Sequence, residues 1–209
     1  MDFQQVVRRR RMVRAFQPGR PVPAASRNRI LRNAQRGPSA GFSQGSAYVV
    51  LESEADRQRF WAVTGGTRPA NDWLVRMSEA PLLVLCWCSA ERYLDRYAEA
   101  DKQHADLSGA PYWYVDAGMG VLLMLQTAVD EGLAACFFGI PPQRLDALRA
   151  ELGVPSGWLP VGVLAVGFAD TDRDRRSSSL RRGRRDPAEV IHMGHWGSAA
   201  DGLPSSRKE

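Results

Sequence analysis

The run Arg8-Arg9-Arg10-Arg11-Met12-Val13-Arg14 gathers guanidinium groups near the start of the chain. Guanidinium is planar, stays charged at any relevant pH and can grip phosphate oxygens two at a time. Far along the chain, Asp130-Glu131-Gly132-Leu133-Ala134-Ala135-Cys136-Phe137-Phe138-Gly139-Ile140 is an apolar run punctuated by glycine. Such a run can lie flat against a planar ligand, with Phe137 and Phe138 as apolar wall. The backbone N–H of Gly139 or Ile140 would then be free to donate to a ring nitrogen. A third segment, Pro38-Ser39-Ala40-Gly41-Phe42-Ser43-Gln44, offers small residues that admit close approach and the Ser39 hydroxyl as a donor. Phosphate at one end and a planar ring at the other describe a flavin mononucleotide (FMN). Each segment also has a plainer reading by itself: a solvated basic surface, a core strand and a common loop.

The elements that must hold these residues can be read from periodicity and punctuation. Residues 2–11 form a helix candidate ending at the arginines, with Pro18-Gly19, Pro21 and Pro23 beyond it. Helical spacing over 24–35 stops at Gly37-Pro38, immediately before the small-residue loop. Strands are expected at 47–51, 82–88, 133–138 and 161–168, and helices at 54–63, 72–77, 90–98 and 143–152. Residues 64–69 read as a glycine-rich loop. The long helix is 113–131, with almost no polar face, which predicts burial inside a domain or at a subunit interface. Gly132 is its natural C-terminal stop. From Asp170 the composition turns charged and irregular, which suggests an arm without a core of its own.

The 209 residues, 44% hydrophobic and 24% charged, suit one soluble domain. The expected division is a single domain over 1–197, its arm at about 170–197, followed by a disordered tail over 198–209. No apolar run reaches the roughly 18–20 residues of a membrane span. No apolar stretch of the kind found in secretion signals follows the first arginines, so a cytoplasmic protein is expected. Three cysteines make no disulfide framework. Cys86 and Cys88 fall on one face of an apolar strand and read as core, and no metal site is expected. His192 and His195 supply only two ligands. The net charge of +5 is concentrated around Arg8–Arg14 and Arg173–Arg185. No nucleic-acid-binding motif accompanies it, so neither nucleic acid nor membrane is expected as a partner.

In order and spacing, four segments resemble the nitroreductase-like flavoproteins. Arg10-Arg11-Met12-Val13-Arg14-Ala15-Phe16 parallels that family's Arg-Arg-Ser-x-Arg-x-Phe, and Pro38-Ser39-Ala40-Gly41-Phe42-Ser43-Gln44 its Pro-Ser-x-x-Asn-x-Gln. A buried helix beginning near Asp116 leads into Gly132-Leu133-Ala134-Ala135, in place of Gly-Leu-Gly-x. Arg184-Arg185-Asp186-Pro187-Ala188-Glu189-Val190-Ile191, with Trp196, parallels an arginine-rich stretch, a proline and a β-like segment closed by tryptophan.

The resemblance implies an α+β fold, with a central mixed or antiparallel sheet flanked by helices and a C-terminal arm wrapping the partner of a homodimer. It implies FMN, with Arg10, Arg11, Arg14 and Arg185, helped by Arg184, at the phosphate and Met12 beside them. Pro38, Ser39, Ala40 and Phe42 would line one face of the ring, and Phe137, Phe138, Gly139 and Ile140 the other. Hydride would pass from NADH or NADPH through flavin N5 to a nitroaromatic, quinone or similar small acceptor, in ping-pong order. Relatives using a deazaflavin reductant, dehalogenases, and flavin or deazaflavin sensors without turnover remain as alternatives. Three departures stand out. Met12 replaces the usual serine. Phe42 replaces asparagine, as in the flavin-destroying branch, whose catalytic serine is absent at Gly139. Leu122-Leu123 replaces a common Gln-Asn pair.

Overall fold

The computed structural model describes residues 1–65, 71–102, 107, 109–175 and 177–198. The chain divides into two compact units, Met1–Arg175 and Arg176–Glu209. The first contains a four-stranded sheet of β1 (Ser46–Leu51), β2 (Leu82–Cys88), β3 (Ala134–Phe138) and β4 (Leu159–Gly167). Their order is β1-β2-β4-β3, and every neighbouring pair is antiparallel. Among the described residues, the mixed alternative survives as one parallel bridge, between Met12 and Ala135 on the outer edge of β3.

Both faces of the sheet are covered, because the two central strands are apolar at every position rather than at alternate ones. Leu83, Leu85, Trp87, Val163 and Ala165 point to one side, against Phe60 of α3 (Glu54–Thr64), Met77 of α4 (Asp72–Ser78) and Leu148 of α7 (Leu145–Leu152). Leu82, Val84, Cys86, Leu164 and Val166 point to the other. There they meet Ile30 of α2 (Ala24–Ala34) and Val121, Met124 and Ala128 of α6 (Tyr112–Asp130). The remaining α-helices among the described residues of this unit are α1 (Phe3–Arg9) and α5 (Ala90–Ala98).

Local sequence sets the boundaries. Asp2 caps α1 by accepting the Gln5 N–H at 2.9 Å, and Asn71 caps α4 by accepting that of Leu74 at 2.8 Å. Helix α6 ends where Gly132 takes φ +71°, with its N–H on the Val129 carbonyl and that of Leu133 on the Ala128 carbonyl. This double closure turns the chain straight into β3. Gly162, at φ +151°, sits by a bulge between Cys86 and Trp87. A side chain there would meet the Phe137 ring at 2.4 Å, so the glycine gives that ring its place across β4.

Helix α6 buries Ala117, Gly120, Val121, Met124 and Leu125, but it is not buried all round within one chain. Val115, Met119 and Leu122 form an exposed apolar stripe along its other side. Phe3 and Val7 of α1 are exposed as well.

In the second unit, Pro187–Val190 is a short helix, α8, instead of the expected β-like segment. Asp186 accepts the Ala188 N–H at 3.0 Å, and a proline at the first helical position is preset for a helix. That start signal outweighs the β-branched pair Val190-Ile191, of which only Ile191 is extended. The expected tail lies outside the described residues from 199 onward, as does most of the expected 64–69 loop.

Candidate functional site

The basic segment leaves α1 at Arg10, whose backbone is already extended, and runs beside the outer edge of β3. The Val13 N–H donates to the Ala135 carbonyl at 2.9 Å, and the Phe137 N–H donates to the Met12 sulfur at 3.4 Å. Met12, standing where the resemblance implies a serine, thus ties the segment to the strand through its sulfur. Asp174, its side chain only 2% exposed, pairs with the Arg11 guanidinium and accepts the Arg14 backbone N–H at 2.7 Å. Of the three expected phosphate ligands here, Arg11 is therefore answered from within the chain. Arg10 is half-buried and has no ion-pair partner among the described residues. The guanidinium of half-buried Arg14 makes, among the described residues, only a long contact, 3.4 Å, to the Met12 carbonyl.

The exit of β3 leads into an aromatic cluster. Phe138 stacks on Trp61 with centroids 5.8 Å apart and planes at 10°, and Trp73 meets it edge-on at 5.4 Å. A cavity of about 140 Å³ opens here, lined by Trp61, Asn71, Trp73, Phe138, Gly139 and Pro141. Gly139 is exposed, and a side chain built there would meet nothing within 4 Å. The indole N–H of Trp61 is buried without a partner among the described residues. Trp61, Asn71 and Trp73 are absent from the sequence-based site. Their signal was the aromatic pair Phe60-Trp61 and Trp73 flanking a glycine-rich loop.

The Pro38–Gln44 loop lies elsewhere. Pro38 is exposed and Phe42 is 76% exposed, while Ser39 and Ala40 are half-buried. Pro38 and Ser39 line a separate polar cavity of about 300 Å³ with Gln44, Tyr48, Tyr93 and Asp116. Burial pushes the Tyr48 hydroxyl up to about 12 and raises Tyr93 too, with Ser39 opposing and Asp116 reinforcing the latter. Both phenols are therefore protonated donors at neutral pH.

The two cavities share no lining residue. The loop feeds β1 and the glycine run leaves β3, and these are the two edges of the sheet. Three strand spacings separate them, roughly 14 Å. Within one chain the two expected ring walls do not face each other.

Residues 7–168, most of the chain, match the nitroreductase family. The chain belongs to the nitroreductase family. Solved structures share its fold at low identity. A nitroreductase family protein of Clostridium difficile aligns with TM-score 0.71 and 17% identity, over 93% of this chain and 99% of that one. A Desulfovibrio desulfuricans protein named as a nitroreductase, solved in complex with FMN, aligns with TM-score 0.66 and 20% identity, over 91% and 95%. A Clostridium acetobutylicum protein named as an NADH oxidase aligns with TM-score 0.66 and 20% identity, over 91% and 99%.

The family match ends before the second unit, where Arg184 is exposed and the Arg185 guanidinium donates to Glu189 at 3.1 Å. Arg173, in the first unit, is structural. It bonds Glu79 at 2.6 and 3.0 Å, Asp170 at 2.6 Å and the Phe16 carbonyl at 3.2 Å. Asp101 is engaged by both Arg96 terminal nitrogens at 2.7 Å, and Trp113 packs edge-on against Tyr93. Among the described residues no group of three or more metal-type side chains is placed to hold an ion, and no helix is long and apolar enough to cross a membrane.

Proposed function

We propose that this nitroreductase family member is an FMN-dependent oxidoreductase that works as a homodimer. The observation that carries the reading is the alignment of the Arg10–Arg14 segment along β3, the strand whose exit exposes Gly139. Cations suited to a phosphate and backbone open to a ring thereby belong to adjoining stretches of one sheet edge. The residues fit the cofactor, since Arg10 has no anion of its own among the described residues and nothing crowds Gly139.

Arg10 and Arg14 would hold the phosphate, and the Arg11–Asp174 pair keeps their segment against the strand. Phe138 and Ile140, on one face of the sheet, would form the apolar wall, whereas the Phe137 ring packs on the opposite face. A backbone N–H of Gly139 or Ile140 would donate to ring N5. When bound, FMN would supply two-electron chemistry, with NADH or NADPH as the hydride donor and a nitroaromatic, quinone or similar small molecule as the acceptor, in ping-pong order. Fixed backbone donors tune such a ring without titrating, so no side-chain acid or base is assigned.

The opposite wall, Pro38, Ser39, Ala40 and Phe42, is assigned to a second copy. Two observations support this: the walls sit at opposite sheet edges, and α6 carries an apolar stripe that is exposed among the described residues. The test of the activity is anaerobic. Protein loaded with FMN should lose its flavin colour on addition of NADH or NADPH and regain it with a quinone. Retained colour with both nucleotides would contradict the proposed electron donor.

A further inference from the structure

We propose that Asp116 is a positioning residue: through Ala40 and Tyr93 it holds the Pro38–Gln44 loop in the shape of a ring wall. The role given to that wall rests on the function proposed above.

The loop needs holding. Gly41, Phe42 and Gln44 have φ of +61°, +57° and +50°. Phe42 and Gln44 carry side chains in a left-handed conformation that crowds Cβ against backbone, and such geometry persists only where surroundings over-determine it. Helices α5 and α6 supply the surroundings. Asp116, 8% exposed, projects from the first turns of α6. Its Oδ2 accepts the Ala40 N–H at 2.7 Å and the Tyr93 hydroxyl at 2.7 Å. Tyr93 is fully buried on α5 and has no solvent alternative for that proton. The Tyr93 and Ser39 hydroxyls are 3.4 Å apart, a weak contact, and Ser39 in turn accepts the Gln44 N–H at 2.8 Å.

One turn along α5, Arg96 donates to the Gly41 carbonyl at 2.8 Å, its guanidinium fixed by Asp101. Three consecutive loop residues, Ser39, Ala40 and Gly41, are thus tied to the body of the domain. The seat is close. Side chains built at Gly41 and Gly45 would lie 2.7 Å from Tyr97 and 2.5 Å from Tyr93.

Asp116 is the member of this set that joins α5, α6 and the loop through one atom. Because it ties down the loop from behind, the wall is ordered before a ring arrives, and binding does not bear that ordering cost. Asp116 itself touches no reacting atom under this assignment.

The test compares Asp116→Leu, Asp116→Asn and Tyr93→Phe with the parent, by amide hydrogen exchange over 38–44 and by FMN titration with the flavin's midpoint potential. Asp116→Leu is expected to speed exchange at Ala40 and its neighbours, weaken FMN about tenfold and shift the potential, with overall helicity retained. Asp116→Asn keeps one oxygen able to accept both bonds and should stay within about threefold of the parent. Tyr93→Phe, which removes one hydroxyl and keeps the ring, should fall between them and carries the test if the leucine variant does not fold. Parent-like exchange, affinity and potential in Asp116→Leu, or in Tyr93→Phe where it stands in, would overturn the positioning role. A parent protein that binds no FMN would overturn the functional reading instead, and exchange over 38–44 would still decide whether Asp116 holds the loop.

Discussion

Arg10 and Arg11 are neighbours in sequence with different partners, and this separates their expected mutant effects. Arg10→Ala combined with Arg14→Ala should weaken FMN by about tenfold or more while leaving the unfolding midpoint near that of the parent, since charge-assisted phosphate contacts are lost and no buried partner is stranded. Arg11→Ala should do the reverse. It leaves the Asp174 carboxylate with only the Arg14 N–H, and should cost about 1–3 kcal/mol in urea unfolding with little effect on FMN. The cysteines give a second check at this scale. Burial pushes the thiols of Cys86 and Cys88 up to about 12 and that of Cys136 to about 11. All three should resist a thiol reagent at pH 8 in the native protein and react on unfolding. Because these folded values lie above the unfolded value of about 8.5, the stability they contribute is complete below that pH and lost as pH rises through 11–12. The arginine motif was legible because its residues are contiguous. Asp174 was not legible as its partner, because the pairing joins segments 163 residues apart and only the fold brings them together.

The strands and long helices could be read almost to the residue. The β2 run is unbroken from Leu82 to Cys88, and Gly132 and Gly153 supply the left-handed stops that α6 and α7 use. Helix α8 escaped because two local signals conflicted, and the Asp186-Pro187 start prevailed over β-branching. The sides of α6 escaped for another reason: a face packed on the sheet and a face awaiting another surface have the same apolar composition. Glycines test the packing directly. A methyl at Gly120 would lie 2.8 Å from the Tyr48 hydroxyl and 3.1 Å from the Ala34 carbonyl, so α2 and α6 would have to separate. Gly120→Ala should cost about 2–3 kcal/mol, clearly more than the substitution at Gly153. Gly153→Ala meets nothing within 4 Å, bears only backbone strain at φ +64°, and should cost about 1 kcal/mol. Equal losses in urea unfolding would contradict the close approach of α2 and α6.

At the scale of the molecule, the sheet order decides how the candidate site is assembled. The strand order could not be read from local patterns, yet it puts the loop before β1 and the exit of β3 at opposite edges. Two half-sites on one chain and the exposed apolar stripe along α6 are what support the proposed pair of copies as the functional unit. Subunit complementation tests that most directly. One chain carries Arg10→Ala and Arg14→Ala, the other Pro38→Trp, which fills the ring's space from an exposed position. Each homodimer should bind FMN poorly. A heterodimer purified through two different tags has one site with both lesions and one with none, and should bind about one FMN per pair with near-parental affinity. A heterodimer that binds no better than either homodimer would place both walls in a single chain and contradict the shared site.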